Sequence, residues 1–380
     1  MKKAPNKIAF AVFFLLLLVL PLITILTPKK SFSETENRAL EEFPAFSIEN
    51  VLSRKFMKNL EEYISDHFIG RTGWTASKTR MELASGKRES NGVFILPERL
   101  AEKQDPVDTG AVEKSITAIN NFAEDTDMPV FVMIAPTATE IYNNELPKNA
   151  PRYDEKAFIR QDVYENLNAE IIALDAYGAL YSTRSDYIFY RNDHHWTSLG
   201  AYNVYAATIK QMGYSAVPWS RFDIEHATNS FRGTLYSKSL YDGIEADTID
   251  LYTYAKGAKV TAVDINDGRE TKIYGTMYFR EYLNHAAKYS VFFGVNQPTV
   301  TVHTDLKDGP KLLMFKDSYA HSYVPFLAQH YSEITMVDLR YLNNAYKDIL
   351  EIEEYDQTLF LYSCSTFATD STIKKLDIQE

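Results

Sequence analysis

Lys311-Leu312-Leu313-Met314-Phe315-Lys316-Asp317-Ser318 is the stretch on which the fold turns. Four large apolar residues in a row leave no polar face, the mark of a strand buried on both sides. An acid and a serine follow at once, and residues 319–330 read as a helix. The same unit repeats outward along the chain. Upstream, the apolar runs 129–135 and 171–175 have strand length, with helical segments over 111–123 and 154–169. Downstream, 334–339 and 358–363 read as strands on either side of a helix over 344–353. Buried strands alternating with helices predict an α/β class: a three-layer α/β/α fold whose sheet is mainly parallel, with helices on both faces. Ligands of such sheets bind beyond the carboxyl ends of the strands. Asp175, Asp317-Ser318, Asp338-Leu339-Arg340 and Ser363-Cys364 all fall at strand ends, on one prospective rim. Residues 214–310 break the rhythm with charged turns such as Asn266-Asp267-Gly268 and short alternating runs, and they predict a β-rich insertion within the domain.

The amino-terminal part is of another kind. Lys2, Lys3 and Lys7 precede an uncharged run over residues 8–27, which Lys29 and Lys30 close. About 20 apolar residues suffice to span a bilayer as a helix. The run ends Leu26-Thr27-Pro28-Lys29, without the small-x-small pattern of a cleavage site, so an uncleaved signal anchor is expected over 1–30. Its short amino-terminal arm favours a cytoplasmic amino terminus and a body outside the cytoplasm. Residues 31–46 read as a polar juxtamembrane linker, and 47–380 as the body. Within the body, Phe56, Leu60, Tyr63 and Ile64 recur at helical spacing.

Composition narrows the function. The chain has 380 residues, 45% of them hydrophobic, enough for a real core. A net charge of −11 argues against a nucleic-acid partner, since a polyanion is repelled. The single Cys364 excludes an intrachain disulfide framework and any multi-cysteine zinc site.

Eight histidines are spread over the chain, and two adjoin only in Asp193-His194-His195-Trp196. Imidazole is the side chain best suited to move protons near neutral pH. Asp193 stands two residues before His195, and in an extended segment the two project the same way, so the carboxylate can orient the ring. The hydroxyl such a base needs is supplied best by Ser318, exposed at the turn between a buried strand and a helix. The first helical N–H groups then point where an oxyanion would form. Asp193, His195 and Ser318 thus make a candidate triad. His194 would point away from Ser318 if the segment is extended, to bond backbone or line the cleft. Trp196 is expected to pack under the motif, with sugar stacking as the other use. Asn296 is either an oxyanion donor or part of a plain turn before the strand at Thr299. Arg340 either holds a substrate carboxylate or pairs with Asp338 or Asp317. His321, one turn beyond Ser318, is too near it in sequence to reach back. Two other readings stay open: a metal site on Asp193, His194 and His195, and a binding or scaffold protein without turnover. No cofactor is called for by the triad reading.

The string Asp193-His194-His195-Trp196, with Ser33-Glu34-Thr35-Glu36-Asn37-Arg38 after the anchor and Lys316-Asp317-Ser318-Tyr319 and Asp338-Leu339-Arg340-Tyr341 near the end, resembles the DHHW protein family of Gram-positive bacteria. That family is in turn similar to the SGNH-hydrolase-like proteins that O-acetylate alginate and other exported polysaccharides. The resemblance implies an SGNH-like fold, a polysaccharide substrate, and acid, base and nucleophile roles for Asp193, His195 and Ser318. It also implies a membrane-bound O-acyltransferase as acetyl source. Lys316 departs from the related pattern, in which a glycine often precedes the Asp-Ser pair. A cation there either alters the turn or binds an anionic group.

Overall fold

The computed structural model describes residues 4–33, 38–343 and 345–377. Glu34, Thr35, Glu36 and Asn37 of the family-like segment lie outside them, as does Asn344 at the start of the helix expected over 344–353. The chain divides into two compact units, Met1–Asn91 with Tyr236–Asp242, and Gly92–Leu235 with Gly243–Glu380.

The first unit opens with helix α1 (Ala4–Leu26), whose stretch Lys7–Leu26 is long and apolar enough to cross a membrane. Three further helices follow, Ile48–Leu52, Lys55–His67 and Arg71–Ala84. Gly70 joins the last two at φ 71°, a backbone angle that costs glycine least.

The second unit is built on eight strands: β1 (Val130–Ala135), β2 (Ile172–Ala173), β3 (Val260–Asn266), β4 (Thr271–Tyr274), β5 (Thr299–Thr304), β6 (Lys311–Lys316), β7 (Glu333–Val337) and β8 (Gln357–Ser363). Their order in the sheet is β4-β3-β5-β7-β6-β8-β1-β2. From β2 to β7 every neighbouring pair is parallel. Strands β5, β3 and β4 continue the sheet antiparallel. The fold is therefore mixed α/β on a mainly parallel sheet. Residues 214–310 supply the three antiparallel strands, which widen that sheet, and a separate hairpin of Asp223–Phe231 with Asp247–Thr253. Burial follows the difference. All six residues of β1 are buried, whereas β5 buries only Val300 and Val302 and alternates, as expected with one covered face.

Side chains of successive strand residues take opposite faces. Leu312, Met314, Met336 and Leu361 enter one core with α3 (Ser198–Thr208) and α4 (Ala320–Leu327) once the helix α2 (Thr109–Glu124) is set on the other side; there Leu313, Phe315, Val337 and Phe360 meet Ile119 and Phe122. Asp108 caps α2 through the N–H of Ala111, and Thr197 caps α3 through that of Gly200. Phe315 stacks on Phe360 at 5.0 Å between ring centres, so its truncation to alanine would cost about 3–5 kcal/mol.

Two expected helices differ. Over 154–169 the chain forms a short α turn (Glu155–Ala157), a π-helical turn (Phe158–Val163) and a 3-10 turn (Tyr164–Asn166). The wider coil brings residues five apart onto one side, so that Phe158, Ile159 and Val163 are all buried. In place of a helix over 344–353 stand two 3-10 turns, Tyr346–Asp348 and Ile352–Glu354. Only Tyr346 there is buried, and a short helix without a buried stripe is not self-sustaining. The helix after Ser318 is shorter than the expected 319–330, running Ala320–Leu327.

Candidate active site

The Asp193-His194-His195-Trp196 segment is a pinched loop. Phe189 and Trp196 form an antiparallel bridge at its base, and the Thr197 N–H donates to Ile188 O at 2.9 Å. Gly200 allows this closure, because a Cβ there would sit 2.2 Å from Ile188 O. Asp247, from the side hairpin, holds the top: its carboxylate accepts from the N–H groups of Arg191 and Asn192, both at 2.8 Å. Trp196 is fully buried, donates its indole N–H to Tyr319 O at 3.0 Å, and packs on the rings of Tyr319 and Tyr323.

The backbone bends through this loop instead of extending. Asp193 still reaches His195, because its Oδ1 folds back over the His195 N–H (3.0 Å) and Nδ1 (2.6 Å). Its Oδ2 accepts from the backbone N–H and the hydroxyl of Thr234, at 2.8 and 3.1 Å. Gly233 is what lets that segment close in, since a Cβ there would lie 2.1 Å from Asp193 Oδ2. With Nδ1 committed to the carboxylate, His195 turns Nε2 to Ser318 Oγ at 2.7 Å. Tyr289 lies flat against the imidazole, 3.8 Å between centroids and 9° from parallel, and its hydroxyl donates toward Ser318 O (3.1 Å) or Ser322 Oγ (3.2 Å).

Ser318 is set by its neighbour. Asp317 Oδ1 accepts from the Tyr319 N–H and Oδ2 from the Ser363 N–H, at 2.9 and 2.8 Å, tying the end of β6 to the end of β8. The helical N–H groups expected to hold an oxyanion are largely spent. Tyr319 gives its N–H to Asp317, Ala320 to Asp317 O, and His321 to Ser318 O. The Ser318 N–H is paired with none of the described residues. Asn296 lies before β5 with its Oδ1 buried and unpartnered, and no hydrogen bond joins it to Ser318 or His195 among the described residues.

Protonation follows from these surroundings. Burial alone would raise the Asp193 carboxyl, but His194, His195 and Thr234 outweigh it and hold it well below the usual carboxylate range. Burial lowers His195 from its ordinary value, helped by His194 and opposed by Asp193. The ring is thus a neutral base whose Nε2 accepts the serine proton.

His194 belongs to the same bent segment, so the condition of an extended backbone is not met. Its ring lies 3.9 Å from that of His195, and its Nδ1 is 2.7 Å from Thr234 Oγ1. Since that hydroxyl donates to Asp193, it accepts from His194. Asp193, His194 and His195 each bring one ligand atom within 4.8 Å of the others. The Asp193 oxygens and both His195 nitrogens are already hydrogen-bonded, so a resident cation would have to break the chain from Thr234 to Ser318. The donor set does not fit a metal.

Lys316 does not reach the surface to bind an anion there. It is fully buried, with Nζ 2.8 Å from His321 Nε2 and 3.5 Å from Asp338 Oδ2. Arg340 spends its guanidinium on the same acid, Nε to Oδ1 at 2.9 Å and Nη2 to Oδ2 at 2.7 Å. Burial and Lys316 hold His321 well below the ordinary imidazole range.

Sequence reading missed Asp247, Thr234 and Tyr289. Nothing in the chain sets Tyr289 apart from the other 25 tyrosines; Gly233-Thr234 carried a faint signal as a glycine beside a capping residue.

A family model described as DHHW protein matches residues 84–337. Among solved structures, a DHHW family protein from Eubacterium siraeum is 24% identical, with a TM-score of 0.64 over 76% of this chain and 96% of the other. PatB1 of Bacillus cereus is 20% identical, with a TM-score of 0.61 over 74% and 98%. The same protein with a sulfonyl adduct is also 20% identical and scores 0.60 over 74% and 97%. At these identities the likeness establishes the fold. No curated protein matches the chain.

Proposed function

From the premise that the chain belongs to the DHHW protein family, we propose that it is a membrane-anchored serine acyltransferase or esterase acting on an exported or cell-surface polysaccharide, through Asp193, His195 and Ser318. One observation carries the reading: the 2.7 Å contact between His195 Nε2 and Ser318 Oγ, with Asp193 on the far side of the ring. A serine is a poor nucleophile until a base takes its proton, and this arrangement provides the base and its orienting acid.

In the first half-reaction His195 Nε2 takes the Ser318 proton as Oγ attacks the carbonyl carbon of an acetyl donor. Asp193 stabilises the imidazolium, and the Ser318 N–H donates to the developing oxyanion. The intermediate collapses, the leaving group takes the proton from His195, and an acetyl-serine remains. In the second half a sugar hydroxyl gives its proton to His195 and attacks the ester, and Ser318 departs with that proton. Water in place of the sugar makes the same site an esterase. A sulfonyl adduct on a protein of this fold accords with a reactive nucleophile there. Residues 1–30 act as the anchor, 31–46 as the linker and 47–380 as the body outside the cytoplasm, with a membrane-bound O-acyltransferase as the source of acetyl groups.

The test is turnover of p-nitrophenyl acetate by the full chain in detergent. Wild type releases p-nitrophenol, and Ser318→Ala and His195→Ala do not. Equal rates in all three would refute the triad and leave the polysaccharide-binding scaffold.

A further inference from the structure

The first unit displays apolar side chains that the fold gives no reason to leave outside. Phe43, Phe46, Ile48, Leu52, Met57 and Trp74 are exposed, three of these six by 74% or more. Scattered apolar residues on a surface need no explanation, but a contiguous set does. Ring contacts gather part of this set on one helix, Lys55–His67: Phe43 packs edge-on against Tyr63 at 5.3 Å, and Phe46 against Phe56 at 5.7 Å. Ile48 and Leu52, four apart on one helix, extend it.

The set is tied to the end of α1 at three points. Lys29, just past the helix, donates to Thr24 O and lies 5.9 Å over the Tyr63 ring. The Ile69 N–H donates to Thr24 Oγ1 at 3.2 Å, and His67 Nε2 meets Lys30 O at 3.1 Å. Trp74 in turn donates its indole N–H to Ile69 O at 3.1 Å. Thr24 belongs to the last turn of the apolar stretch Lys7–Leu26. If α1 spans a bilayer, that turn lies where hydrocarbon gives way to headgroups, and so do the residues bonded to it. Tryptophan and other amphipathic rings favour that depth, and an apolar face with basic flanks is stable there.

We infer that the segment from Phe43 to Trp74 is seated in the outer interface of the membrane, with Phe43, Phe46, Ile48, Leu52 and Trp74 among headgroups and upper acyl chains. It is a second, monotopic contact beside the spanning helix. This rests on α1 as the anchor and is independent of the triad. Two contacts would hold the unit against the lipid surface where one helix alone would let it swing.

The experiment uses the full chain carrying Trp219→Phe, reconstituted in phosphatidylethanolamine and phosphatidylglycerol vesicles. Trp196 is fully buried, so Trp74 is then the exposed indole. Lipids brominated near the glycerol end should quench its emission strongly, and lipids brominated near the methyl end should quench it less. A companion variant, Phe14→Trp on the same background, reports on α1 and should respond most to the deep bromines. Quenching of the Phe14→Trp indole with an unquenched Trp74 overturns the inference and leaves the anchor intact. Quenching of neither overturns both.

Discussion

Two buried histidines stand beside the same serine, His195 at 2.7 Å in space and His321 three residues on in sequence, and they are not alike. His195 has a carboxylate on Nδ1 and a hydroxyl on Nε2. His321, on the first turn after Ser318, has an ammonium on Nε2. Burial lowers both rings from the ordinary imidazole value. Only His195 has an acid to steady a proton once it arrives, and only its free lone pair faces a proton worth taking. In His321 the lone pair is spent on Lys316, whose charge opposes protonation. The contrast shows that burial of an imidazole makes a neutral ring, and that its partners decide whether the ring is a base or a strut.

The sharpest way to break the contrast is substitution on both sides. Ser318→Ala and His195→Ala should each lower ester turnover by at least about 10⁴-fold, while His321→Gln should cost less than about tenfold. A loss at His321 equal to that at His195 would erase the distinction. Asp193→Asn comes next, at about 10³–10⁴-fold, because an amide can accept from Nδ1 but cannot stabilise the imidazolium. A kcat loss with unchanged KM is the expected split. Gly233→Ala should cost about 10²-fold, since the added Cβ falls 2.1 Å from Asp193 Oδ2 and must push the acid out of line. Retained activity there would mean that the Thr234 segment can yield without moving Asp193.

Lys316→Met tests the other cluster. It removes one partner of a fully buried pair, but Asp338 keeps both bonds to Arg340. The expected cost is therefore about 2 kcal/mol in urea unfolding, below that of leaving a buried acid alone. Turnover of a small ester should change little. A large loss of turnover at unchanged stability would make Lys316 part of the chemistry.

How much of the fold is legible in the sequence differs in the same way between regions. The buried strands β1, β6 and β8 were legible because an apolar run without a polar face has few alternatives. The end of β6 then placed Ser318, and the two-residue step placed Asp193 near His195, although through a folded-back carboxylate instead of an extended strand. Lys316 was misread because sequence shows a charge but not its depth, and the acid that neutralises it, Asp338, comes 22 residues later. Tyr289 and Asp247 were invisible for a related reason. Each reaches the site from the stretch over 214–310, where no local pattern says which side chains turn toward the rim.

The smallest effect asks most of the comparison. His195 is lowered from 6.5 by burial first and by His194 second, against the pull of Asp193. Ester turnover in wild type should therefore hold as pH falls to 6.5 and fail only at lower pH, where the ring takes a proton from solvent and can no longer take one from Ser318. His194→Gln keeps a donor for Thr234 but removes the neighbouring ring that disfavours the imidazolium. Protonation of His195 then becomes easier, so the acid limb of kcat/KM should move to higher pH, by less than about one unit, with the plateau nearly unchanged. A shift to lower pH would mean that His194 supports the imidazolium instead of opposing it. The same substitution should leave the Lys316 cluster untouched, so urea unfolding of His194→Gln separates a change in the base from a change in the fold.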